Sequence, residues 1–121
     1  MRYVKVVPTP DGGSKFEDAE FAQAERVIGE KIPPLLVADP VPVSVASFVT
    51  APDELGDLDY HCAPARQFVV VLAGVLEAET TDGEVRRMEP GDVALVEDTT
   101  GRGHITRIIE KPASLLMIPL S

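Results

Sequence analysis

Between Gln67 and Ile118 the chain is cut by turn-forming residues into strand-like runs of five to seven residues, too short for stable helices. The runs are Gln67–Ala73, Val75–Thr80, Glu84–Met88, Asp92–Val96, His104–Ile109 and Ser114–Ile118. Gly74, Asp82-Gly83, Pro90-Gly91, Gly101–Gly103 and Pro112 separate them. Their apolar content is mostly Val, Leu, Ile and Ala, residue types that suit a pleated and half-buried surface. The spacing predicts a β-meander or jelly roll. Asp82-Gly83 is the clearest local signal, since Asp-Gly readily takes the positive φ angles of a tight hairpin.

The first forty residues carry less pattern. Phe16–Val27 mixes acids and alanines and reads equally as a short helix or an edge strand. Ile32-Pro33-Pro34 blocks both helix and inner-strand pairing, and alternation resumes over Val41–Thr50. The expectation is one folding domain, with residues 1–40 an irregular extension that packs on or pairs with a barrel of residues 41–121. A chain of 121 residues has material for one core.

Several functional classes are disfavoured. Twenty acidic against eleven basic residues give a net charge of −9, with no basic cluster, so a phosphate backbone is repelled and no nucleic acid partner is expected. No apolar run approaches the ~20 residues of a membrane span. The N-terminus lacks the apolar core of a signal peptide and Cys62 is alone, which points to a cytoplasmic protein without an internal disulfide.

Facing refines the picture, because strand side chains alternate between the two sides of a sheet. Gln67, Val69 and Val71 share one side, and Phe68, Val70 and Leu72 the other. A strand apolar on both sides must be covered on both, which predicts two packed sheets and, for the outer side, a homodimer. His104, Thr106 and Ile108 likewise share a face. Gln67 and His104 are therefore expected to meet in one cavity.

Gly56–Gly74 reads GDLDYHCAPARQFVVVLAG and Gly91–His104 reads GDVALVEDTTGRGH. Together they resemble the two motifs of the cupin superfamily, with the match covering about half the chain. His61 falls on the first motif histidine, Gln67 on the glutamate position and Gly74 on the closing glycine. Gly91, Gly101 and His104 match the second motif. Ala63 stands where the second histidine is usual, Thr99 and Ile108 replace a proline and an asparagine, and the Gly56-to-His61 interval is one residue short. The resemblance implies an antiparallel double-sheet jelly-roll barrel with any site in its mouth, and any metal held by His61, Gln67 and His104.

Two histidines and a neutral amide are a thin set for a divalent ion, so the expected cofactor is either none or one of Mn, Fe, Zn or Ni. The candidate catalytic residues are His61, His104 and Gln67: imidazole carries protons near neutral pH, and an amide can orient a substrate. Tyr60, Arg66, Val69, Val71, Asp98 and Thr106 are candidate substrate contacts. For Arg66 the competing reading is a surface charge, and for Asp98 a turn that caps its own backbone. The function expected is an isomerase, cyclase, dehydratase or lyase acting on a small organic molecule. The alternatives are a ligand-binding or sensing module, and a structural dimer with a vestigial site.

Overall fold

The runs on either side of Gly74, and those on either side of Pro112, each join into one long strand in the computed structural model, which describes residues Met1–Ser121. Ten strands form and no helix: β1 (Arg2–Pro8), β2 (Ser14–Glu20), β3 (Gln23–Arg26), β4 (Leu35–Ala38), β5 (Ser47–Thr50), β6 (Leu58–His61), β7 (Gln67–Glu79), β8 (Val85–Met88), β9 (Val93–Val96) and β10 (His104–Pro119). The protein is all-β, as the spacing of turn residues predicts. With no helix present, none is long and apolar enough to cross a membrane.

β7 and β10 form one antiparallel ribbon that changes neighbours halfway along. The first half of β7, from Gln67 to Val70, pairs with β9 on its other side, and the second half, from Leu76 to Glu79, pairs with β8. β10 does the same, pairing with β6 near His104 and with β5 from Ser114 onward. The main path runs β2-β1-β9-β7-β10-β5, with β8 on β7 and β6 on β10. The result is barrel-like but not closed, because β2 and β5 remain edges. β3 and β4 make a separate two-stranded sheet.

The ribbon turns its corner at Gly74. Its φ is +76°, and a Cβ there would lie 2.5 Å from the Pro112 carbonyl oxygen and 2.6 Å from that of Glu110. Only glycine fits both the angle and the space. Val71, Leu76 and Ala113 are buried together inside this corner.

The structure refines three expectations. Residues 1–40 do pair with the rest of the sheet, but through regular strands: β1 and β2 alternate inward and outward, and β1 runs parallel to β9, so the sheet is mixed and not purely antiparallel. Val4, Val6 and Phe16 share a core cluster with Ala63, Ala94 and Val96. Of the two readings of Phe16–Val27, the edge strand is the one found, since Phe16–Glu20 lies in the edge strand β2, and Gln23–Arg26 forms the separate β3. The hairpin expected at Asp82-Gly83 joins β7 to β8, with the reversal made by residues 80–84 and the positive φ taken by Gly83 and not by Asp82. The fully buried Thr80 donates its hydroxyl to the Asp82 carboxylate at 2.6 Å, closing the loop from within.

Gly74→Ala is expected to cost about 3 kcal/mol or more, since angular strain and overlap with backbone add. Gly83→Ala is the control, because its φ is +88° but nothing lies within 4 Å of the new Cβ. It is expected to cost about 1 kcal/mol. Urea unfolding of both variants checks the order, and equal losses would contradict a packed corner at Gly74.

Candidate functional site

The two halves of the β7–β10 ribbon enclose a cavity of about 180 Å³. At 10–15 Å³ for each water-sized probe, that is room for roughly a dozen non-hydrogen atoms. β7 contributes Gln67, Val69 and Val71 from its first half, and β10 contributes His104 and Thr106 from its opposite end. β6 adds His61. The pleat therefore presents the faces expected from alternation.

His61 and His104 are cross-strand partners in the β6–β10 pairing, and their ring centroids lie 5.1 Å apart. Gly103 permits this approach: a Cβ there would fall 1.8 Å from the His61 carbonyl oxygen. The glycines before His104 thus make room for the protein's own backbone and not for a ligand. Gly101 does likewise against Gly12.

His104 is 8% exposed, and its Nδ1 lies 2.5 Å from Oδ2 of Asp98, which is wholly buried. A carboxylate in this position accepts a hydrogen bond from Nδ1–H and leaves Nε2 as the free acceptor. His61 Nδ1 lies 2.8 Å from the Asp59 carbonyl oxygen, which sets the same tautomer. Neither Nε2 has a hydrogen-bond partner within the chain. The Gln67 side-chain amide has none either, although the residue is only 4% exposed. Its polar atoms are not sealed off, however, because Asp98 Oδ1 is the one buried side-chain oxygen or nitrogen without a partner, so the Gln67 amide is left open to water or a ligand at the cavity wall.

Of the other expected contacts, Val69, Val71 and Thr106 line the cavity, whereas Tyr60, Arg66 and Asp98 do not. Arg66 precedes Gln67 and takes the opposite face, where its Nε meets Glu97 Oε2 at 2.5 Å. Tyr60 lies under the Arg102 guanidinium at 4.7 Å. Asp98 stands behind His104, so its role is to orient the ring. Cys62 is turned away, its thiol directed at the Gly101 carbonyl oxygen. Sequence reasoning missed the wall built by Val4, Val6 and Phe16, as well as Glu77 at the rim. Glu77 is engaged by Arg107 at 3.3 Å, and the hydrogen bond from Arg107 to Glu79 holds that guanidinium above its ordinary pKa.

The donor set does not fit the divalent metal that the family resemblance implies. No three His, Cys, Asp or Glu side chains converge on one point. Ala63, at the missing histidine position, is buried against the cavity without any donor atom. Two imidazoles and an amide fall short of the three strong ligands of an ordinary catalytic centre.

No protein-family model matches the chain, and no curated protein sequence matches it either.

Asp98→Ala is expected to destabilise the protein by about 2–4 kcal/mol, because it leaves a buried imidazole nitrogen unpaired. Asp98→Asn is expected to cost less, since an amide oxygen can still accept from Nδ1. Chemical unfolding checks both, and a loss below about 0.5 kcal/mol for the alanine variant would contradict a structural His104–Asp98 pair.

Proposed function

We propose that this chain is a small cupin-like barrel that catalyses proton transfer on a small, largely apolar organic molecule, in an isomerase, cyclase, dehydratase or lyase type of reaction. The observation that carries this reading is the pair of unpartnered imidazole Nε2 atoms beside the unpartnered Gln67 amide in the lining of one apolar cavity. The motif resemblance supports it independently, since His61, Gln67 and His104 fall on motif positions by sequence order alone.

His104 Nε2 is the base. Asp98 fixes its tautomer and offsets the positive charge that the ring gains on taking a proton, as a buried carboxylate behind an imidazole does. His61 is the partner that exchanges a proton at a second substrate atom, and Gln67 donates its amide N–H to a substrate oxygen. The Val69, Val71 and Ala94 walls exclude water, which strengthens each of these polar contacts.

A ligand-holding module without turnover is the second reading. It is favoured by the wall chemistry, because fourteen of the twenty lining residues are apolar and few groups remain to stabilise a transition state.

Exchange of α-carbon protons for deuterium in small linear and cyclic ketones, followed by NMR, distinguishes the two readings. The protein is expected to accelerate exchange in at least one ketone of about a dozen non-hydrogen atoms or fewer. His104→Gln is expected to reduce that rate by about 100-fold or more. Gln67→Ala is expected to raise KM more than it lowers kcat. Binding without exchange across the series would favour the holding module, and exchange unchanged in His104→Gln would remove His104 as the base.

A further inference from the structure

No residue between Phe16 and Ala63 is buried. Ten of the sixteen large apolar side chains exposed by the protein lie between Val27 and Val49, among them Phe48 at 78%, Val27 at 73% and Leu36 at 64%. Inside this stretch β3 and β4 pair only with each other. The hydrogen bonds and ion pairs of residues 22–41, such as Arg26 with Asp39, also stay within the segment. A two-stranded hairpin alone in water is marginal at best. Something must therefore cover this one.

Surface area indicates the size of the cover. A folded chain of 13.0 kDa exposes about 6,300 Å² on the usual scaling. This chain exposes 7336 Å², an excess of roughly 1,000 Å², and a standard interface removes about 800 Å² from each partner. Charge indicates where like copies can meet. Each chain carries −9, so two copies repel through most of their surface, yet Phe21–Thr50 holds three acids against two bases, and no charged residue lies between Pro40 and Pro52. β5 falls in that uncharged stretch. It is an open edge with none of the charges that ordinarily block strand addition.

The outer side of this edge is apolar. Leu115 and Met117 line the cavity, so Leu116 points the other way, in register with Phe48 on β5 and Val70 on β7. The outward side of β7 itself, from which a dimer is expected on sequence grounds, is partly covered within the chain, because Phe68 packs against Tyr3 and Phe21.

We propose that Phe21–Thr50 is a dimerisation arm: the β3–β4 hairpin of each protomer packs on the β5 edge and Phe48 of the partner subunit, in a two-fold exchange that covers both hairpins. A symmetric pair closes, leaving no free copy of the surface.

Light scattering after size exclusion tests this with the full chain. The parent is expected at twice 13.0 kDa, and Phe48→Asp and Leu36→Asp, from opposite sides of the contact, are each expected to shift it to 13.0 kDa. Hydrogen exchange in the parent provides a second readout that does not depend on either variant folding: protection of the β3 and β4 amides should rise with protein concentration, while that of β7 and β10 should not. A parent at 13.0 kDa across the range overturns the proposal, whether the arm is then unprotected and awaits a different protein or is covered by its own chain. A dimer that persists in both folded variants overturns it as well, as does arm protection independent of concentration.

Discussion

The bend of the β7–β10 ribbon at Gly74 is the constraint on which the site depends. Gln67 pairs with Pro119 at one end of the ribbon, and Glu79 pairs with Ile105 next to His104 at the other. In a straight ribbon with a rise of about 3.3 Å per residue these ends would be roughly 40 Å apart. Folding the ribbon over itself brings Gln67 and His104 to the wall of one cavity, and makes the inner faces of both halves into a single core. A Cβ at Gly74 would run into the Pro112 and Glu110 carbonyls, so the corner is set by backbone against backbone. Side-chain repacking cannot relieve a substitution there.

A second backbone contact completes the arrangement. Gly103 lies against the His61 carbonyl, which brings β6 onto β10 and the two imidazoles side by side. Behind them Asp98 gives Oδ2 to His104, while its Oδ1 is buried without any partner. A buried pair half satisfied in this way is a poor choice for stability alone, since replacing both partners by apolar residues of similar size would avoid the desolvation. It is a reasonable choice for holding one imidazole tautomer against an apolar cavity. The same backbone segment closes the cavity floor, because the Asp98 carbonyl accepts the Ala63 N–H at 3.1 Å.

The part of this structure legible in the sequence is the part encoded locally. Alternation along Gln67–Leu72 and His104–Ile109 fixes which side chains share a face, and turn residues mark most of the reversals. Gly74 and Pro112 look like strand ends in sequence, but they are bends within continuous strands, a distinction that depends on whether hydrogen bonding resumes with the same neighbour. β1 has a local partner in β2, to which it turns back through Asp11-Gly12-Gly13, but its parallel pairing with β9, some ninety residues away, leaves no local signal. In sequence Asp98 reads as a substrate contact or, within Glu97-Asp98-Thr99-Thr100-Gly101, as a turn-capping residue; its contact with a histidine six positions on requires the chain to reverse between them. The exposed arm was equally hidden, since valines and leucines at a protein–protein surface look the same in sequence as those of a core.

The central claim is that His61 and His104 both present an unprotonated Nε2 to the cavity, held so by Asp59 and Asp98. Nitrogen-15 NMR of the imidazole rings measures this directly. With both rings neutral, the account requires the proton on Nδ1 of each, with the His104 Nδ1 proton shifted strongly downfield by the Asp98 carboxylate. A proton on Nε2 of His104 would contradict it, because the ring would then direct a donor, and not a base, at the cavity.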